Sequence, residues 1–316
     1  MSNIVSGMII HPEELSKEWI DKLADAGITV LGIHPRGGIW AAESLKQLVN
    51  DLKTPKYREL IDYACGRGLE VEYEIHSVGY LLPREYFGEH PEYFRMNAKG
   101  ERTDSMNFCV SNRDAFDIVV KNAAKLARSL YGSSHNFYFW MDDGVDVHCH
   151  CPKCSKLSPS DQQMLVLNGM LREIKKHISD AKMAYLAYVD SIVPPAQVGA
   201  EEGIFLEYAP FEKYTAKGDD AQMRIEREKE MLAPLIKMFE NEPKKVLEYW
   251  YDNSMYSDWK KPPARFELNE SQMVADIREY RECGFDGITT FACFLGSDYN
   301  ELYGDVDITP FAESTK

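Results

Sequence analysis

Short apolar, β-branched or aromatic runs recur along the chain, and stretches with helical spacing separate most of them. The runs are IVSGMIIH (4–11), ITVLGIHP (28–35), LEVEYEIH (69–76), NFYFWMDD (136–143), KMAYLAYVD (182–190), GIFLEYAP (203–210), KVLEYWYDN (245–253) and GITTFACF (287–294). Residues 112–130, 160–178 and 270–284 place apolar side chains three and four apart, and another helical stretch begins near Glu13. Eight such alternations in 316 residues favour one (β/α)8 TIM barrel over two separate domains. The weak unit lies between the fifth and sixth runs, where residues 191–202 leave little room for a helix. The longest irregular part is 77–111, after the third strand, and a loop of that length in a compact domain usually contributes to a site. A cysteine-rich loop, 144–159, follows the fourth strand. Nothing linker-like splits the chain, so it reads as a single catalytic barrel over 1–316.

In such a barrel the active site lies at the C-terminal ends of the strands. Those ends carry His11, His34, Arg36, Glu74, His76, Asp142, Asp143, Tyr188, Asp190, Glu207, Tyr208, Glu248, Trp250, Asp252 and Cys293. Carboxylates in an aromatic-lined mouth suit a small carbohydrate. Aromatic faces stack on C–H surfaces, and carboxylates do acid/base work on a glycosidic bond. Trp40, Tyr208, Tyr249, Trp250, Tyr251 and Trp259 are candidate stacking or hydroxyl-binding residues. His34, His76, Tyr188, Glu74 and Glu207 are candidate hydroxyl-binding groups, and Arg36 either meets an acidic sugar or pairs with a neighbouring acid. Alternation along LEYWYDN puts Glu248, Trp250 and Asp252 on one face, which is expected to line the pocket.

The adjacent acids Asp142 and Asp143 are the leading catalytic candidates. Close carboxyls push their pKa values apart, which separates an acid from its partner. Glu248 is the rival partner for Asp143, as a nucleophile delivered by the seventh strand. A formal charge of −15 argues against a nucleic-acid partner. No run approaches the ~20 apolar residues of a membrane span, and the N-terminus lacks the features of a leader, so a cytoplasmic location is expected. No glycine-rich phosphate loop points to an organic cofactor.

Cys149, Cys151 and Cys154 stand at the spacing C-x-C-x2-C and can occupy three corners of a tetrahedral zinc site. Cys109, ahead of the helix over 112–130, is the preferred fourth ligand, with His148 or His150 as local alternatives. Such a closed site is structural and would staple the loop behind the aspartates.

The stretch FWMDDG resembles the Asp-Asp dyad of family 84 N-acetylglucosaminidases and the Asp-Glu dyad of family 20 hexosaminidases, with aspartate in place of the glutamate. The resemblance implies that Asp142 positions a substrate acetamido group acting as nucleophile and that Asp143 is the general acid/base of a retaining hydrolase. A longer resemblance runs through 137–195, from the Asp-rich strand end through the three cysteines to SDQQMLVLNGMLREI and AYLAYVDSIVPP, with a further part at 90–112. This order is similar to the bacterial barrel family catalogued as domain of unknown function 4838, usually grouped with glycosidases. Two other readings stay open. One is a metal-dependent sugar isomerase or epimerase with Glu74, His76, Glu207 and Glu248 as ligands. The other is a non-catalytic carbohydrate-binding barrel.

Overall fold

The computed structural model describes residues 4–142 and 144–316, so Asp143 lies outside the described residues. Eight strands form: β1 (Val5–Ile10), β2 (Val30–Ile33), β3 (Glu70–His76), β4 (Asn136–Trp140), β5 (Lys182–Ala187), β6 (Ile204–Tyr208), β7 (Lys244–Glu248) and β8 (Gly287–Phe291). Every neighbouring pair is parallel. β8 returns to β1 with Val5 opposite Gly287 and Ile9 opposite Phe291, so the barrel closes and leaves no edge. The expected (β/α)8 barrel is the fold. Several strands stop short of the apolar runs: β4 ends at Trp140, β5 at Ala187 and β7 at Glu248. The residues beyond them turn into the loops that carry the site.

Local signals set the helix starts. Ser16 caps Lys17–Ala26 by accepting from the Trp19 amide at 3.3 Å. A 3-10 turn over Pro12–Glu14 precedes it, so the helix expected near Glu13 starts at Lys17 instead. Asn112 caps Arg113–Ser129, and Ser158 caps Pro159–Lys175, where Pro159 takes the first helical position. Residues 77–111 hold a short helix, Val78–Leu81, two 3-10 turns and bridges pairing Phe94 with Phe108 and Met96 with Arg102, so this loop carries structure of its own.

Between β5 and β6 no helix forms beyond a 3-10 turn at Val189–Ser191. The helix Pro159–Lys175 supplies the missing hydrogen bonds. Asp161 Oδ1 accepts from the amides of Ala196, Gln197 and Val198 at 3.0, 2.7 and 2.9 Å. Asn168 donates to Gly199 O and accepts from Glu201 N. Backbone groups that a helix would pair internally are thus met by two side chains.

Strand alternation divides the core. Ile10, Phe139, Leu206, Val246 and Ile288 pack outward under the helices, while Ile9, Tyr138, Phe205, Leu247 and Phe291 fill the barrel interior. Gly32 is needed here, because a Cβ at this position would lie 2.5 Å from Ile9 Cγ1. The interior is also charged. Lys245 Nζ lies 2.7 Å from Glu72, 2.6 Å from Glu74 and 3.7 Å from Glu207, and 4.0 Å from the Tyr138 ring centroid. Tyr138 Oη donates to Glu72 at 2.7 Å. Three carboxyls share one ammonium, and burial pushes Glu74 up to about 7 against the pull of Lys245. Glu207 is raised well above its usual range, by burial first and Glu74 second.

This sets a sign for stability against pH. A carboxyl whose folded pKa exceeds its unfolded value binds its proton more tightly in the fold, so its contribution is complete below the ordinary range and is lost as pH rises through the folded value. Thermal stability is therefore expected to fall as pH rises from about 4.5 through about 7. Glu74→Gln, which mimics the protonated group, should flatten that decline. Melting temperatures of both proteins across the window test this, and parallel profiles would refute it.

Candidate active site

A cavity of about 440 Å³ opens among the loops that follow the strands. This lies within the ~300–1,000 Å³ usual for small-molecule sites. Trp140, Leu247, Tyr249 and Phe291 form its inner wall, with Tyr249 and Phe291 ring centroids 5.3 Å apart.

His11, His34 and His76 line one side. Each Nδ1 donates to a carbonyl of the next strand's end: His11 to His34 O at 2.8 Å, His34 to Glu74 O at 2.7 Å and His76 to Met141 O at 2.8 Å. A carbonyl can only accept, so each Nδ1 carries the proton. Burial, with His76 and His11 beside it, drives the His34 pKa well below its usual value, so this ring is neutral and its Nε2 is an acceptor. Gly37 packs against His76, where a Cβ would stand 2.9 Å from Cδ2. The glycine pair in HPRGGIW thus lets the loop after β2 close over the imidazole.

The mouth is aromatic. Trp40 and Trp259 are 62% and 64% exposed, and both line the cavity. Asp258 and Trp259 have φ of 51° and 53°, a left-handed conformation that costs a non-glycine residue energy and clusters at functional sites. The Trp259 amide donates to Ser254 O at 2.8 Å, which holds the turn. Arg36 also lies at the mouth and pairs with Glu13 at 3.4 Å, so the neighbouring-acid alternative for Arg36 is the one seen.

Three carboxyls border the cavity system among the described residues: Asp252, Asp142 and Asp190. Asp252 lines the main cavity, and its Oδ1 accepts from Ser254 N and Oγ at 3.1 and 2.6 Å. Burial raises its pKa against the pull of Ser254 and His11. Asp142 lines a side chamber of about 60 Å³, which shares His76, Leu186 and Tyr188 with the main cavity. Phe108, Val110 and Val147 form the chamber's apolar wall. Arg84 Nη2 donates to Asp142 Oδ2 at 2.8 Å, and Asn107 Oδ1 accepts from the Asp142 amide at 2.9 Å. Asp142 Oδ1 is buried and accepts no hydrogen bond from the described residues. Burial raises the Asp142 pKa, while Arg84 and His76 pull it down.

The structure brings together His34, Arg36, Trp40, His76, Tyr188 and Asp252 around the main cavity, with Asp142 next door. Other sequence candidates lie elsewhere. β7 presents Leu247 and Tyr249 inward, so Glu248 and Trp250 point out toward the helix Glu270–Glu282. The expected face of LEYWYDN was the wrong one. Asp252 still reaches the cavity because β7 ends at Glu248 and the chain turns. Glu248 accepts from Lys213 at 2.6 Å and Tyr214 at 2.6 Å, and also from Tyr280. Trp250 Nε1 donates to Asp276 at 2.9 Å, and Tyr208 likewise packs outward, with its Oη directed at Glu228 O. Glu74 and Glu207 sit in the barrel interior, held by Lys245 and by Trp140 Nε1, which donates to Glu207 at 2.7 Å. Glu74, His76, Glu207 and Glu248 therefore do not converge as a metal-ligand set. Glu248→Gln is expected to keep kcat/KM within about threefold while lowering stability by ~1–3 kcal/mol through one weakened buried network. A loss of turnover without loss of stability would place Glu248 in the reaction after all.

Sequence reasoning passed over several groups. His11 stands at a strand end but was not among the chosen site residues. Arg84, which fixes Asp142, comes from the long loop and carries no local signal. Phe291 follows from alternation once the inward face is known, whereas Tyr249, a candidate stacking residue from the sequence, does line the cavity.

The four cysteines singled out from the sequence meet. Sulfurs of Cys109, Cys149, Cys151 and Cys154 all lie within 4.8 Å of one another, and all four residues are buried. His148 and His150 instead group with Asp146, partly exposed.

Solved structures share this fold at low identity. An endo-glycoceramidase II from Rhodococcus sp. aligns over 99% of this chain and 78% of its own, with a TM-score of 0.57 and 10% identity. A family 20 catalytic module of a pneumococcal exo-β-D-N-acetylglucosaminidase aligns over 99% and 84%, with a TM-score of 0.55 and 12% identity. Thermotoga maritima Cel5A, solved with mannotriose, aligns over 99% and 98%, with a TM-score of 0.54 and 14% identity. These likenesses show the (β/α)8 barrel fold and nothing beyond it. No curated protein sequence matches the chain. The family described as domain of unknown function DUF4838 matches residues 44–288, more than three quarters of the chain, and the chain belongs to that family.

Proposed function

We propose that the protein is a glycoside hydrolase that cleaves small N-acetylhexosaminides with retention, by substrate assistance. The observation that carries this reading is the side chamber beside the main cavity. Its roughly 60 Å³ admits a substituent of a few heavy atoms rather than a sugar ring. Its walls combine Asp142 with Phe108, Val110 and Val147. An acetamido group has matching chemistry, an N–H donor beside a methyl.

In this mechanism Asp142 accepts the acetamide N–H, supplying the partner its Oδ1 lacks. The acetamide oxygen then attacks the anomeric carbon as the glycosidic bond breaks. Asp143, next along the chain, gives its proton to the departing oxygen and afterwards takes one from the water that opens the cyclic intermediate. Asp252 and the neutral His34 bind sugar hydroxyls, while Trp40 and Trp259 stack on the part of the substrate at the mouth. The cytoplasm, where thiols stay reduced, is the compartment proposed for it.

A panel of nitrophenyl glycosides tests the reading. Turnover of β-N-acetylhexosaminides and none of the matching glycosides without the acetamide is expected. Hydrolysis of plain glucosides or galactosides at equal rate would remove substrate assistance. Saturable sugar binding with no turnover on any member would favour the binding barrel.

A further inference from the structure

We propose that Cys109, Cys149, Cys151 and Cys154 form a tetrathiolate site for one zinc ion, and that this ion fastens the loop after β3 to the loop after β4. A zinc tetrahedron with ~2.3 Å arms has sulfur–sulfur edges of about 3.8 Å. Cys109 Sγ lies 3.7 Å from Cys151 Sγ and 3.9 Å from Cys154 Sγ. These distances are far too long for disulfides, whose sulfurs stand ~2.05 Å apart. They suit four thiolates around a common centre. Soft sulfur donors in tetrahedral array select zinc over hard cations.

The surroundings suit a thiolate cage. The Met96 amide points at Cys149 Sγ at 3.4 Å, and Ser111 Oγ lies 3.2 Å from Cys154 Sγ and 3.5 Å from Cys151 Sγ. Such outer donors orient metal thiolates and offset their charge. Gln162 holds the shape of the loop. It accepts from the Cys149 amide at 3.0 Å and donates to the carbonyls of Cys149 and Cys154 at 3.1 and 3.2 Å. With four protein ligands no position stays open for water, so the ion is structural.

The fastened loops both support Asp142. Asn107, two residues before Cys109, accepts from the Asp142 amide and donates to Val147 O at 3.2 Å, two residues before Cys149. Arg84 Nη1 donates to Asn107 O at 3.2 Å while its Nη2 holds Asp142. One ion between the two loops thus stiffens the frame around that carboxyl.

The test reads metal rather than turnover, so it stands apart from the glycosidase reading. Full-length protein produced with zinc in the medium and dialysed against buffer should hold one zinc per chain. Exchange with cobalt should give the strong sulfur-to-metal charge-transfer bands of a tetrathiolate. Cys151→Ser and Cys109→Ser should lose the ion, while Cys65→Ser, whose thiol is exposed and outside the cluster, should keep it. If the cluster variants fail to fold, wild-type chain refolded from denaturant should regain its native melting temperature with zinc and not with chelator. Wild-type protein that carries no zinc after supplementation, that holds iron in its place, or that shows no thiolate bands with cobalt overturns the proposal.

Discussion

Asp143→Asn is expected to lower kcat/KM on an N-acetylhexosaminide with a poor leaving group by about 10²–10⁴-fold, the usual worth of a positioned general acid. With a dinitrophenyl leaving group, which departs without protonation, the loss should shrink to about tenfold, because little proton transfer remains for Asp143 to assist. Asp142→Asn should behave differently. It acts on the acetamide rather than the leaving oxygen, so its loss should be similar for both substrates. It should also lower stability, since Asp142 is buried against Arg84. Initial rates on the two substrates, with melting temperatures alongside, separate these roles. An Asp143→Asn enzyme with full turnover on the poor leaving group would end the assignment.

Lys245→Met should be the most destabilising single change in the barrel. Removing one partner of a buried ionic network typically costs about 3–5 kcal/mol, because uncompensated charge is left behind. Here Glu72, Glu74 and Glu207 would lose their shared ammonium at once. A drop in melting temperature of the order of 10 °C near neutral pH is expected. Adding Glu74→Gln to Lys245→Met should recover part of it, because the excess charge falls. Urea unfolding of the four proteins of this cycle measures the coupling. A Lys245→Met protein as stable as wild type above pH 7 would show that the interior carboxyls are already neutral without the lysine.

The barrel was legible because its strands, buried on both faces, read as continuous apolar runs between amphipathic helices. The missing helix between β5 and β6 was legible as well, because residues 191–202 leave little room for one. The site was half legible. His34, His76, Tyr188 and Asp252 line the cavity as expected. Glu248, Trp250 and Tyr208 do not, because alternation gives two faces and says nothing about which is inner. Glu74 and Glu207 do point inward, but below the cavity. A lysine on β7 meets them there, and no local pattern in strands so far apart foretells that meeting. The convergence of Cys109 with the other three cysteines was foreseen from its place before a helix. The pairing of Arg84 with Asp142 was not, because it depends on how the long loop folds back.

The charged interior also bears on how such a barrel comes together. Glu72 and Glu74 belong to the first four strands, while Lys245 belongs to the seventh, more than 170 residues later. A nascent half carrying β1–β4 would hold two carboxylates in a greasy trough with no cation to answer them. The complementary half would hold an ammonium and a single carboxyl. Neither piece is a self-sufficient unit, and two copies of the same piece would repel or leave charge stranded. Closure therefore answers these buried charges only where unlike halves meet.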